Sequence, residues 1–153
     1  FKDFYYPQEN NLPFESKLFN GGKYNIQILI PKKNFIKIMN SIYNICKQYG
    51  YESWWAGIKK HKEENYINNF ALDGYDLTLQ WSGKYIKKKK LKDFYDKLIQ
   101  IIKKNNCLIY FTQDVLLNSK HISGMYSNSI EIINKYESRN ISLENNMYRR
   151  IIN

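Results

Sequence analysis

Residues 75–81, Tyr-Asp-Leu-Thr-Leu-Gln-Trp, alternate strictly between apolar and polar side chains. Such a period of two marks a strand with one buried side. Tyr75, Leu77, Leu79 and Trp81 share one face, and Asp76, Thr78 and Gln80 share the other. A chain containing this strand must build a sheet and cover its apolar side. The opposite side is a polar floor on which chemistry can sit.

The flanking sequence supplies the rest of a sheet. Lys23 to Ile30 alternates in the same way, with Asn25 and Gln27 on the polar side. Ser53 to Lys60 reads as another strand, with Trp54, Ala56 and Ile58 on one face and Trp55, Gly57 and Lys59 on the other. Cys107 to Thr112 is a fourth, strongly apolar strand. Pro31 suits the opening of a helix, and Phe35, Ile38, Met39, Ile42, Tyr43, Ile45, Cys46 and Tyr49 recur at helical spacing until Gly50, which can cap it. A second amphipathic helix spans Lys88 to Lys104 on the stripe Leu91, Phe94, Tyr95, Leu98, Ile101 and Ile102, ended by Asn105 and Asn106. The order strand, helix, strand, strand, helix, strand predicts an α+β fold, a ferredoxin-like βαββαβ sandwich with an antiparallel sheet over residues 23–113. Residues 1–22 read as an extended lead-in packing through Phe4, Tyr5, Tyr6 and Phe14, and 114–153 as a helical C-terminal segment with helices at Ser119 to Tyr126, Asn128 to Arg139 and Asn145 to Ile152. His61 to Gly74 reads as a long connection of the kind that carries function.

At 153 residues the chain is the size of one domain able to bury a core. Its formal charge of +10 raises nucleic acid or an anionic surface as a partner. However, Lys, Asn, Ile and Tyr dominate throughout while Arg is confined to Arg139, Arg149 and Arg150, the pattern of an AT-rich coding sequence rather than of phosphate recognition. Cys46 and Cys107 sit in apolar runs and read as buried free thiols, consistent with a reducing, cytoplasmic setting. No apolar run is long enough to span a membrane. The chain opens on Phe1 rather than Met, as a piece of a longer protein would.

In such a sandwich both helices cover one sheet face, and strand parity puts Asn25, Gln27, Trp55, Lys59, Asp76, Thr78 and Gln80 on the other, uncovered one. Amides, a carboxylate and an ammonium on one platform make a binding surface, although solvent exposure alone also calls for polar residues there. Metal-ligand spacing, a nucleophile elbow, a phosphate-cradling glycine loop and a dinucleotide fingerprint are all missing. His61 and His121 stand isolated in polar surroundings and read as surface residues. Single-strand RNA recognition on the same topology calls for stacking aromatics on the central strands, where this chain has Asp76, Thr78 and Gln80, so nucleic acid is not the expected partner.

The segments Lys23 to Pro31, Gly74 to Gln80, Leu108 to Asp114, Met125-Tyr126 and Met147 to Ile151, with the Phe4-Tyr5-Tyr6-Pro7 opening, fall in the order and approximate spacing of a known domain. The chain resembles the C-terminal substrate (cap) domain of FAD-linked oxidases of the vanillyl-alcohol-oxidase type, most of all the decaprenylphosphoryl-β-D-ribose 2′-oxidase-like branch. The resemblance implies an FAD-binding domain earlier in the same polypeptide that holds most of the cofactor. It implies hydride transfer from a sugar-type secondary alcohol to flavin N5, a small-molecule or prenyl-linked sugar substrate, and a possible peripheral membrane contact.

Residue by residue, the resemblance puts Gln27, Lys59 and Tyr110 in the substrate pocket, and Asn25 where relatives have a Gln. Asp76 and Thr78 stand where relatives have Asn and Cys. Gln113 stands where relatives carry a lysine close to flavin and substrate, so an amide replaces a cation; either Lys59 supplies the charge, or the substrate and rate differ from those of the relatives. Lys59 and Gln113 are thus the implied catalytic positions. Gln113, Arg149 and Arg150 are those facing the cofactor or a partner, and the 61–74 connection is the implied lid.

Overall fold

A computed structural model describes residues 22–63, 70, 72–83, 88–110, 116–122 and 124–126. Four strands, β1 (Lys23–Pro31), β2 (Trp55–His61), β3 (Gly74–Ser82) and β4 (Leu108–Ile109), form one sheet in the order β2-β3-β1-β4. Every neighbouring pair is antiparallel. Helices α1 (Phe35–Tyr49) and α2 (Lys88–Lys104) and the short α3 (Ser119–Ile122) complete an α+β fold.

The apolar parity decides what lies between sheet and helices. Ile26, Ile28 and Ile30 of β1 and Leu77, Leu79 and Trp81 of β3 bury against Ile38, Ile42, Ile45 and Cys46 of α1 and Phe94, Leu98, Ile99 and Ile102 of α2. A fully buried Leu or Ile side chain contributes about 1.5–3 kcal/mol relative to exposure, so this layer dominates the stability. Trp81 Nε1–H donates to the Tyr51 carbonyl at 2.6 Å, and the Trp81 and Tyr51 rings both meet Phe94 edge-on, which ties the α1–β2 connection to α2.

Several boundaries differ from the sequence expectation for identifiable reasons. Pro31 closes β1 in an extended conformation instead of opening α1, and a 3₁₀ turn at Lys32–Asn34 intervenes. Gly50 does cap α1, with φ of 70°. Strand β2 starts at Trp55 rather than Ser53: the Gln80 carbonyl still accepts the Trp54 N–H at 3.0 Å, but the Gln80 N–H donates to the Ser53 hydroxyl oxygen, also at 3.0 Å, instead of to a backbone carbonyl. Strand β4 covers only Leu108–Ile109, although Tyr110 N–H still donates to the Gln27 carbonyl at 2.9 Å. The helix expected from Ser119 ends at Ile122. The lead-in through residue 21 and the helices expected at 128–139 and 145–152 lie outside the described residues.

Glycine is required where β3 meets β1. A Cβ on Gly74 would stand 2.2 Å from the Ile30 carbonyl oxygen, so any larger residue would push the two strands apart.

Candidate functional site

The polar parity positions of three strands converge on the side of the sheet away from the helices. Across β1 and β3, Asn25 faces Gln80, Gln27 faces Thr78 and Leu29 faces Asp76. Across β2 and β3, Trp55 faces Gln80, Gly57 faces Thr78 and Lys59 faces Asp76. Extending the β1–β4 register by one pair sets Tyr110 level with Gln27. Asn25, Gln27, Lys59, Asp76, Thr78 and Tyr110 therefore share one side. Gln113, Arg149 and Arg150 lie outside the described residues, as do residues 64–69 and 71 of the 61–74 connection.

This side is not the uncovered platform that parity suggested. Leu29, Asp76, Thr78 and Ser82 are all buried, and only β2 is broadly exposed, with Trp55 and Lys59 reaching solvent. Coverage depends on what crosses the sheet, which the period of a strand does not encode.

Asp76 is the centre of the floor. Its side chain is fully buried, Gln27 Nε2 donates to Oδ2, and His61 Nε2 lies 3.7 Å from the same oxygen. The other oxygen, Oδ1, has no hydrogen-bond partner among the described residues. A buried acceptor left without a donor costs about 1–3 kcal/mol, a cost that a bound donor would relieve. Lys59 sits directly across the strand pair from Asp76, and among the described residues no ion pair joins them.

His61 is not isolated, contrary to the sequence reading. It ends β2 on the same parity as Lys59, so its ring turns toward Asp76 and packs edge-on against Phe70 at 6.0 Å between centroids. Phe70 also meets Tyr110, at 5.1 Å. One aromatic ring from the β2–β3 connection thus bridges the two edges of the sheet, from β2 to the end of β4. The alternation of β2, continued by one residue past Lys60, is the sequence signal for His61; Phe70 has none, because its place follows from contacts between residues distant in sequence.

His121 is also embedded. Its Nδ1 accepts the Asn118 N–H at 3.3 Å, its own N–H donates to Asn118 Oδ1, and its Nε2 faces Asp96 at 3.2 Å. These contacts assign it to fastening α3 onto α2.

The Trp55 indole lies back along β2 over Gly57. A Cβ on Gly57 would stand 2.5 Å from Trp55 Cη2, so the ring takes the space that the missing side chain leaves. Trp55 remains 43% exposed there, beside Lys59. Among the described residues two shallow cavities lie elsewhere. One, of about 360 Å³, is lined by residues that include Tyr51, Glu52, Trp54 and Trp81; the other, of about 410 Å³, by Lys103, Cys107 and Met125 among others.

Cys46 and Cys107 are buried free thiols, and burial pushes each up to about 12. Such thiols are poor nucleophiles near neutral pH. Tyr126 donates its hydroxyl to the Ile109 carbonyl at 2.6 Å, and burial raises its phenol above the ordinary range. Among the described residues no group of three or more His, Cys, Asp or Glu side chains could hold a metal ion, and no helix is long and apolar enough to cross a membrane. No protein-family profile matches the chain, and no curated protein is significantly similar to it.

Proposed function

We propose that this chain is the substrate domain of an FAD-dependent oxidoreductase that oxidises a sugar-type secondary alcohol, with its polar sheet side turned toward the substrate. The observation that carries the reading is the buried Asp76 Oδ1, which has no donor among the described residues, beside an exposed Lys59 that no described carboxylate neutralises. A purely solvent-facing side would leave its polar atoms hydrated rather than buried and unmet. The sheet order β2-β3-β1-β4 with two helices on the other side is compatible with a ferredoxin-like sandwich, the architecture that the order of elements in the sequence predicts.

These residues fit a flavin-dependent site in kind: an ammonium, an amide and a carboxylate on one side of the sheet. Bound flavin would supply the electron sink for the alcohol's hydride. Lys59 would hold the alcohol oxygen and stabilise negative charge developing there, the task that the amide of Gln113 cannot perform. Gln27 would act through Asp76, since its amide N–H is already committed to that carboxylate. Tyr110 and Phe70 would wall the pocket against water.

The test is the full-length gene product. It should be yellow, and Lys59→Met should lower turnover by about a hundredfold with FAD content unchanged. A colourless full-length protein yielding no FAD on extraction removes the reading.

The exposed Trp55 beside Lys59 favours a second reading, a ferredoxin-like module for RNA or another anion, because a free indole can stack a base. It requires salt-sensitive binding of a single-stranded oligonucleotide that Trp55→Ala abolishes. Absence of binding at low salt eliminates it.

A further inference from the structure

We propose that the outer rim of β2 takes up an extended acidic peptide as an added antiparallel strand, with carboxylates meeting Lys60 and Lys62 and apolar side chains lying beside Ile58 and Ala56. The inference goes beyond the oxidoreductase reading and does not depend on it, because it uses the rim of the sheet and the side-chain row opposite to that of Lys59 and Asp76.

The argument begins from the backbone. Strand β2 ends the sheet order and pairs with β3 alone, so alternate N–H and C=O groups along its outer rim lack a ladder partner. Among the described residues, 56–61 make no backbone hydrogen bond to any segment other than β3.

The helix-side row of the same strand is equally uncovered. Ala56, Ile58 and Lys60 oppose Leu79, Leu77 and Tyr75 of β3. Leu77 and Leu79 are buried and Tyr75 packs on Phe35 of α1 at 4.6 Å between ring centroids, whereas Ile58 is 53% exposed and Ala56 and Lys60 are exposed as well. The helix layer therefore stops at β3. Strand addition uses this arrangement: main-chain bonds along the rim supply affinity, and contacts to alternate side chains supply selection.

Charge decides the occupant. Lys59, Lys60 and Lys62 are all exposed, and no described carboxylate pairs with any of them. Lysines on a rim guard it against self-pairing, and a second copy would bring three more lysines to the same ladder on a chain already at +10. The same charges attract a strand with Glu or Asp opposite Lys60 and Lys62, since opposite charges across a ladder are favourable and like charges are not. A guard alone does not call for Ile58 and Trp54 at 53% and 55% exposure. Where β2 begins, the cavity of about 360 Å³ lined in part by Tyr51, Trp54 and Trp81 offers room for an apolar side chain from the other end of the peptide. The occupant is thus acidic toward Lys62 and apolar toward Trp54.

The test is an NMR titration and amide hydrogen exchange of the protein with the end-blocked peptide Glu-Thr-Glu-Thr-Val-Thr-Val. In antiparallel register its two Glu oppose Lys62 and Lys60, and its two Val oppose Ile58 and Ala56. Binding should slow exchange of the outer-rim amides within residues 56–60. A version with Lys in place of both Glu should bind about tenfold more weakly, as two cross-strand pairs turn from attraction to repulsion. In the Lys60→Glu, Lys62→Glu double variant that preference should reverse although the chain stays strongly basic, which separates local pairing from general attraction to a cationic surface. Of two versions N-methylated at alternate residues, one for each edge of the peptide, only the one that keeps its donors toward β2 should bind. Unchanged exchange at 56–60, an unchanged preference in the double variant, or equal binding of the two N-methylated peptides overturns the proposal. A concentration-dependent dimer that itself protects the rim overturns it in favour of a second copy, and protection by a single-stranded oligonucleotide but not by the peptide overturns it in favour of nucleic acid.

Discussion

The two sides of the sheet are made from alternate residues of the same strands, yet they are held by different physics. On the helix side Ile26, Ile28, Leu77 and Leu79 are buried against other apolar groups, and their contacts do not depend on direction. On the polar side Asp76 is equally buried, but its environment is directional: one oxygen is held by Gln27 and the other faces no donor. The helix side behaves as a closed core. The polar side has an unfinished hydrogen-bond set among the described residues.

The comparison can be broken by measurement. The largest effect is expected from Ile28→Ala, which empties a fully buried position and should cost about 2–5 kcal/mol in urea unfolding. A loss under 1 kcal/mol there would mean that the helix side is not the main source of stability. Gln27→Ala should cost about 1–3 kcal/mol, because it strips the donor that the structure gives to buried Asp76. If that variant is as stable as the parent, Asp76 is being satisfied in another way and the polar side loses its distinguishing feature.

A pH effect separates the sides differently, since both thiols belong to the helix side. Cys46 and Cys107 are held protonated up to about 12 in the folded chain, whereas an unfolded cysteine ionises near 8.5–9. The unfolded state therefore binds fewer protons in that window. The thiol contribution to stability is fully present below about pH 8.5 and falls progressively from there to about pH 12. Comparing urea midpoints of the parent and the Cys46→Ala, Cys107→Ala double variant at pH 7 and pH 10 isolates the contribution: the parent should lose stability relative to the variant as pH rises. The smallest effect is expected from Ile58→Ser. Ile58 has helix-side parity but is 53% exposed on the edge strand, so its replacement should stay within about 0.5 kcal/mol by the same unfolding measurement.

Much of the scaffold was legible before any coordinates. The span of α2 from Lys88 to Lys104 and the Gly50 cap follow from local spacing and local backbone preference. So does the division of β1 and β3 into apolar and polar faces, because side-chain alternation belongs to each strand by itself. The positions of Gln27, Lys59 and Asp76 on one side also came from that parity, once β2 was set beside β3. The nearness of His61 to Asp76 was not legible, because it needs the strand to run one residue further. The arc of Phe70 between His61 and Tyr110 was not legible either, since it joins residues distant in sequence across the full width of the sheet.

The amino-acid order alone therefore determined which side chains point which way, through periods of two and 3.6 that each segment carries within itself. Only the tertiary structure decided which of those polar groups are buried. Burial depends on neighbours contributed by remote segments, and a period contains no record of them. That is why Asp76 reads as an exposed floor residue in the sequence and stands in the fold as a buried carboxylate with one oxygen still unmet.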